Sequence, residues 1–310
     1  MSQPKGQHYV PQCYLGEWVD PNTPIGYEPY VWIFDRDGRN RRKKAPKNIL
    51  KSKDLYTLQV KGQTKDYSIE KTLAKLESEY ANIFQRKIKR KLPLSEYEHI
   101  ILSAFVAVML QRTLRHKDNL EKFFDELIYK GEALARQHGV ESEEVQKWKE
   151  YKKDAHKVGL IQTLPDLTKL VLKMSVAFFC AEGGAKYITS DDPCNLFNPD
   201  LQWQRFYSPG LGQRKVEVVL SLSPEIMLCM SWSNLRGYIR HKKSRVEENN
   251  RMIVGHCYKY FVSNSPKIKR MWFRRYPMDF LFILKILRHK MDMWLYKLKM
   301  LHTLRNVRRK

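Results

Sequence analysis

Residues 93–116, PLSEYEHIILSAFVAVMLQRTLRH, read as a helix whose middle is apolar on nearly every side. Such a helix has no solvent face, so the rest of the chain must be arranged around it. Ser95 and Glu98 form a capping box at its start. Cations return only where the apolar run ends, at Arg112, Arg115 and His116, next to Gln111. At 310 residues the chain is long enough to enclose such an element in one large core.

The flanking segments sort by period and punctuation. Residues 8–35 read as extended pieces broken by turns; YVWIFDRDG at 30–38 is a strand entering an Asp37-Gly38 hairpin signal. SIEKTLAKLESEYANIFQRKIKRK at 68–91 is a helix, with Ser68 as its cap and Leu73, Leu76, Tyr80 and Ile83 on one face. A polar helical stretch covers 118–157, with breaks expected near Gly131 and Gly139, and an apolar helix is expected over 165–181 after Pro165. AKYITSDDP reads as a strand running into a turn, KVEVVLSLSPEIMLCMS as two strands split at Pro224, and 245–262 as helix. These elements predict an α+β fold, a mostly helical single domain over 1–264 with a small mixed or antiparallel sheet.

Residues 265–310 change character, with fourteen Lys or Arg against two acidic residues. Phe280, Leu284, Leu287, Met291, Trp294, Leu298 and Leu301 step alternately by four and three, a seam on a basic amphipathic helix. The reading is a helical extension packed on the main domain, with 277–305 also able to pair with a protein partner, a second copy or an anionic membrane.

Lys plus Arg exceeds Asp plus Glu by 57 − 33 = +24, an excess that calls for an anionic partner, nucleic acid before membrane. No apolar run reaches the ~18 residues of a spanning helix, so no transmembrane segment is expected. Five scattered cysteines without a C-x-x-C pair, and a start without a signal-like apolar stretch, predict unpaired thiols in a cytoplasmic protein.

Eight stretches in order, among them HYVPQCYLGEW at 8–18, VMLQRTLRH at 108–116, YITSDDPC at 187–194 and VEENNRMIVGHCYKYFVSN at 246–264, resemble a bacterial family known as a domain of unknown function, number four-two-three-eight. The resemblance spans about residues 7–264, and its H-Y-V-P-Q and T-S-D-x-P motifs are the most specific. The family usually carries an aromatic residue where Cys13 stands, and a TSDNPV-like turn where this chain has TSDDPC. The resemblance implies a fold and a set of polar motifs, with no established chemistry.

Three groups of residues are candidates for chemistry. His8 can exchange a proton near neutral pH, with Tyr9 and Gln12 to orient a ligand; the alternative is a strand start whose polar groups satisfy backbone. Arg112 and Arg115 share a helix face beside Gln111 and His116, and guanidinium forks suit phosphate; they could equally pair with Asp191. Ser190 and Asp191 sit where a turn carboxylate can orient a base, or merely bond its own backbone. Lys269, Arg270, Arg274 and Arg275 interleave with Trp272, Phe273 and Tyr276, a mix that suits base stacking or a core edge.

Walker, dinucleotide-binding, nucleophile-elbow and H-E-x-x-H motifs are absent from the sequence, and KVEVVLS lacks the E-x-K order of a metal nuclease strand. No cofactor and no metal site are therefore expected. Two readings remain. In the first, His8, Arg112 and Asp191 meet in one pocket of a metal-independent, ribonuclease-like effector of the toxin or defence kind, acting on RNA or single-stranded DNA more readily than on duplex DNA. In the second, the chain binds nucleic acid without catalysis, or serves as an adaptor through its C-terminal helix.

Overall fold

The computed structural model describes residues 6–58, 65–138, 142–201 and 209–274, together with positions 288 and 291. The chain divides into two units, Met1–Phe273 and Arg274–Lys310. In the second unit Arg274, Arg288 and Met291 are described, all three exposed. Arg275, the seven-position seam apart from Met291, and most of the proposed partner segment 277–305 lie outside the described residues.

In the first unit the elements follow in chain order. They begin with β1 (Gly6–His8), α1 (Gln12–Gly16), β2 (Val31–Asp35), β3 (Arg42–Lys44) and β4 (Lys51–Lys53). Four helices come next: α2 (Ser68–Ile83), α3 (Glu96–Gln111), α4 (Leu114–His138) and α5 (Glu143–Leu172). Strands β5 (Ser175–Ala181), β6 (Thr189–Ser190), β7 (Cys194–Phe197), β8 (Glu217–Ser221), β9 (Ile226–Ser231) and β10 (Gly237–His241) lead to α6 (Lys243–His256) and β11 (Tyr260–Ser263). The fold is α+β.

Helix α3 is the axis of the core, as its composition requires. Leu102, Phe105, Val106, Val108 and Met109 are buried. The capping box forms as expected: Glu98 N–H donates to Ser95 Oγ at 3.3 Å, and Ser95 N–H to the Glu98 carboxylate at 2.7 Å. Helix α2 brings Leu73, Tyr80 and Ile83 to this core, with the Tyr80 ring stacked on Phe105. Its cap differs from expectation. Asp66, not Ser68, supplies the side-chain acceptor, taking both the Ser68 N–H and its hydroxyl. At position 131 the expected break does not occur, and α4 runs through it. A Cβ there would lie 2.7 Å from the Trp148 and Val145 side chains of α5, so the glycine permits close approach of two helices. Gly139 lies outside the described residues.

Three sheets replace the one small sheet expected: β1 with β4, a five-stranded sheet ordered β10-β5-β9-β8-β7, and a four-stranded sheet ordered β3-β2-β11-β6. The β10–β5 pair is parallel and the remaining pairs are antiparallel. The β8–β9 pair, split at Pro224, and the hairpin at Gly38, whose φ is 82°, match the sequence reading. Segment 175–181 is strand and not helix, because SVAFFCA pairs on both flanks, with β9 and β10. Helix α5 continues past Pro165; that residue is exposed, while Leu164, Leu167 and Val171 on neighbouring positions pack on the core and offset the lost hydrogen bond. Helix α6 ends at His256, and YFVS continues as β11 between β2 and β6. Within the N-terminal segment read as extended, Pro11 starts the short helix α1. All five cysteines are free thiols, four of them buried.

Candidate functional site

The β1–β4 ladder places His8 opposite Lys51 and Gln7 opposite Ser52. Between this ladder, the Pro46–Asn48 turn and one face of α2 opens a hollow of about 420 Å³. His8, Gln12, Lys47, Lys51, Glu77 and Arg112 line it. His8 is half-buried, and its Nε2 lies 3.3 Å from the Pro46 carbonyl oxygen. Burial lowers the His8 pKa below the ordinary 6.5, the Pro46 contact opposes this, and the Lys51 cation lowers it further. The imidazole is therefore neutral at pH 7.

Arg112, which follows α3, reaches the same hollow but is only 2 % exposed. Its guanidinium pairs with Glu77 Oε1 at 2.7 Å, donates to the His8 carbonyl, and donates through Nε to Tyr56 Oη at 3.4 Å. Tyr56 in turn donates its hydroxyl to the Arg112 carbonyl at 3.1 Å. Those bonds fix the backbone of His8. They also commit the fork that sequence reasoning assigned to phosphate. Each of the three Arg112 nitrogens thus bonds a group of the chain itself.

Asp191 does not join His8 and Arg112. It is buried, and its two oxygens accept from the backbone N–H groups of Tyr258, Lys259 and Tyr260 at 2.8, 2.6 and 3.0 Å. Burial pushes its pKa up, and the three amides pull it back. The expected meeting of three groups is thereby corrected to two, because the carboxylate holds the turn into β11. Ser190 is fully buried and bonds the backbone of Asp192 in both directions.

The remaining predicted positions divide by surroundings. Tyr9 is a core residue at 5 % exposure, whereas Gln12 is exposed at the rim of the hollow. Gln111 is buried, accepting from the Thr163 hydroxyl at 2.7 Å. Arg115 pairs with Asp192 at 3.1 Å and donates to the Cys257 carbonyl at 3.0 Å. His116 is half-buried, its ring 6.1 Å from that of His156. Lys269 pairs with Glu247, a buried carboxylate that also takes the Trp272 N–H at 2.7 Å; Trp272 itself is a core residue, not a stacking platform. Arg270 and Arg274 are exposed.

The H-Y-V-P-Q and T-S-D-x-P motifs thus occupy two places, the first at the hollow and the second beside β11 in its sheet. A model of the family described as "Protein of unknown function (DUF4238)" matches residues 6–267. The chain belongs to this family. No curated protein and no solved structure matches it. In this member of DUF4238, the first motif serves the hollow through His8 and Gln12 while its Tyr9 enters the core.

Sequence reasoning missed several residues of the hollow. Glu70 and Glu77 are seven apart on α2, flanking Leu73 and Ala74 on one helix face, and this spacing was visible. Gln7 was not: it is buried, donates to Thr57 Oγ1 and Glu70 Oε2 at 3.0 and 2.7 Å, and accepts from the Tyr56 N–H. Lys47 and Lys51 belong to the basic segment 36–53, legible as a phosphate-binding stretch, but their place at the hollow, with Asn48, comes only from the β1–β4 pairing and the turn before it. Among the described residues, no helix is long and apolar enough to cross a membrane.

Proposed function

We propose that this DUF4238 member acts on single-stranded nucleic acid, RNA foremost, using His8 as an acid–base group in the hollow. One observation carries the reading: a half-exposed imidazole, held neutral, shares a cavity of about 420 Å³ with Lys47 and Lys51. With Nε2–H directed to the Pro46 carbonyl, Nδ1 is the basic nitrogen. It takes the proton of the attacking hydroxyl as that oxygen bonds to phosphorus; the bond from phosphorus to the leaving oxygen breaks, that oxygen takes a proton from water, and the hydroxide left takes the proton back from His8. Lys51, which has no carboxylate partner among the described residues, neutralises the phosphate, the task sequence reasoning gave to Arg112; Lys47, paired with Glu28, stands at the rim. Arg112 and Glu77 hold His8 in place. The net charge of +24 supports a polyanionic substrate.

The test is incubation of the full chain and its His8→Ala variant with RNA and DNA, with and without chelator. Cleavage of RNA by the wild type, slowed about 10²- to 10⁴-fold in His8→Ala and unaffected by chelator, is the expected result. Intact nucleic acid in every tube, or equal rates for the two proteins, refutes it.

A second reading, a non-catalytic nucleic-acid-binding protein, is favoured by the commitment of Arg112, Asp191 and Arg115 to groups of the chain itself. It predicts salt-dependent RNA binding by wild type and His8→Ala alike, with no strand scission.

A further inference from the structure

The β2–β3 hairpin carries a strip of aromatic rings and cations outside the hollow. Trp32 on β2 stands opposite Lys43 on β3, and β3 is the terminal strand of its sheet. The Lys43 ammonium lies 4.7 Å from the centre of the Tyr30 ring and 5.1 Å from that of Trp32. The Arg41 guanidinium lies 5.3 Å from the Trp32 ring, and the two rings meet edge to face at 5.7 Å. Tyr30 and Trp32 are half-buried, whereas Arg41, Lys43 and Lys44 are exposed.

This strip is strongly and unevenly charged. Residues 36–53 hold nine Lys or Arg and one Asp, 9 − 1 = +8. Arg39, Arg42 and Lys47 have carboxylate partners in Asp37, Asp35 and Glu28. Among the described residues, Arg41, Lys43, Lys44, Lys51 and Lys53 have none within ion-pair distance. Aromatic rings hold Arg41 and Lys43; the Asp20 carboxylate, which takes the Trp32 indole N–H at 2.6 Å, is near enough to Lys43 to feel its charge but forms no ion pair with it. Lys47 follows Lys43 by four positions, so the strip reaches the rim of the hollow over at most about 14 Å of chain.

We infer that the edge formed by Tyr30, Trp32, Arg41 and Lys43 is a track for the phosphodiester backbone of a single-stranded nucleic acid leading into the His8 hollow. Cations in a line beside aromatic rings are the combination that single strands engage, by phosphate pairing and sequence-tolerant stacking. The inference extends the proposed function and takes from it the class of ligand. It adds where the strand enters and which residues hold it.

The experiment measures binding of fluorescent oligouridine and oligothymidine by the full chain in a His8→Ala background, which slows cleavage, over a range of salt concentrations. An Arg41→Glu/Lys43→Glu variant is compared with Lys147→Glu/Lys153→Glu, which makes the same charge change at exposed positions of α5. Loss of two phosphate contacts flattens the log–log salt slope by about 1.4 in the first variant and leaves it unchanged in the second. Tyr30→Ala weakens binding about fivefold or more through lost stacking. Equal slopes in both double variants overturn the inference, as does anionic-vesicle binding that depends on Arg41 and Lys43 while oligonucleotide binding does not. Cleavage assays on the His8-containing chain separate the two claims. Cleavage with an unchanged slope removes the track and keeps the hollow; a flattened slope without cleavage removes the hollow's chemistry and keeps the track.

Discussion

Replacing Arg112 with methionine separates a structural guanidinium from one that waits for phosphate. The side chain is 2 % exposed, and its removal leaves three groups without a partner: Glu77, the His8 carbonyl and the Tyr56 hydroxyl oxygen. Truncating one member of a buried ion pair costs about 3–5 kcal/mol. Glu77 keeps 22 % of its side chain exposed and can turn toward water, so the lower end, about 3 kcal/mol, applies here. That is a large part of the 5–15 kcal/mol typical of a folded domain. Urea unfolding followed by far-UV circular dichroism measures it as a lowered midpoint at constant slope. Adding Glu77→Gln closes a double-mutant cycle, in which the second change costs less once Arg112 is gone. A loss below about 1 kcal/mol in Arg112→Met would refute the positioning role. An unchanged midpoint with abolished RNA cleavage would return Arg112 to the phosphate.

Two other substitutions test neighbouring claims. Asp191→Ala strands three amide N–H groups at once and should cost about 3 kcal/mol or more, while Asp191→Asn, which keeps an acceptor, costs less; thermal unfolding distinguishes them. His156 is 7 % exposed, and burial lowers its pKa to about 4. Its folded-state pKa lies below the unfolded 6.5, so the unfolded chain binds the proton first and stability falls as pH drops from about 6.5 toward 4. At pH 5 this single group accounts for about 2 kcal/mol of that loss. In His156→Gln, whose amide can still donate to the Gln111 carbonyl, the difference in stability between pH 7 and pH 5 shrinks by that amount. An unchanged difference would show that His156 does not carry the acid sensitivity.

What could be read without coordinates was local. The Ser95–Glu98 box, the stripe on α2, the turn at Gly38 and the split at Pro224 each depend on residues within a few positions, and each forms. Readings failed where long-range partners decide conformation. SVAFFCA is too short for its period to separate a buried strand from a buried helix, and pairing with β9 and β10 settles it. Pro165 marks a helix boundary by local rules, but packing of its neighbours on the core outweighs that preference.

The candidate site follows the same division. Legible without the fold were a central helix with a nearly all-apolar middle, a large cationic excess and two family motifs rich in polar groups. The sequence by itself could not say what those groups do, because their partners are distant: Arg112 bonds residues 35, 56 and 104 positions away, and Asp191 bonds residues 67 to 69 positions away. Tertiary structure alone turned Asp191 toward backbone amides, spent Arg112 on Glu77 and His8, and left the imidazole beside Lys51. A buried polar group must find a partner wherever the fold supplies one, so the side chains that remain open to a ligand are known only once every other bond has been made.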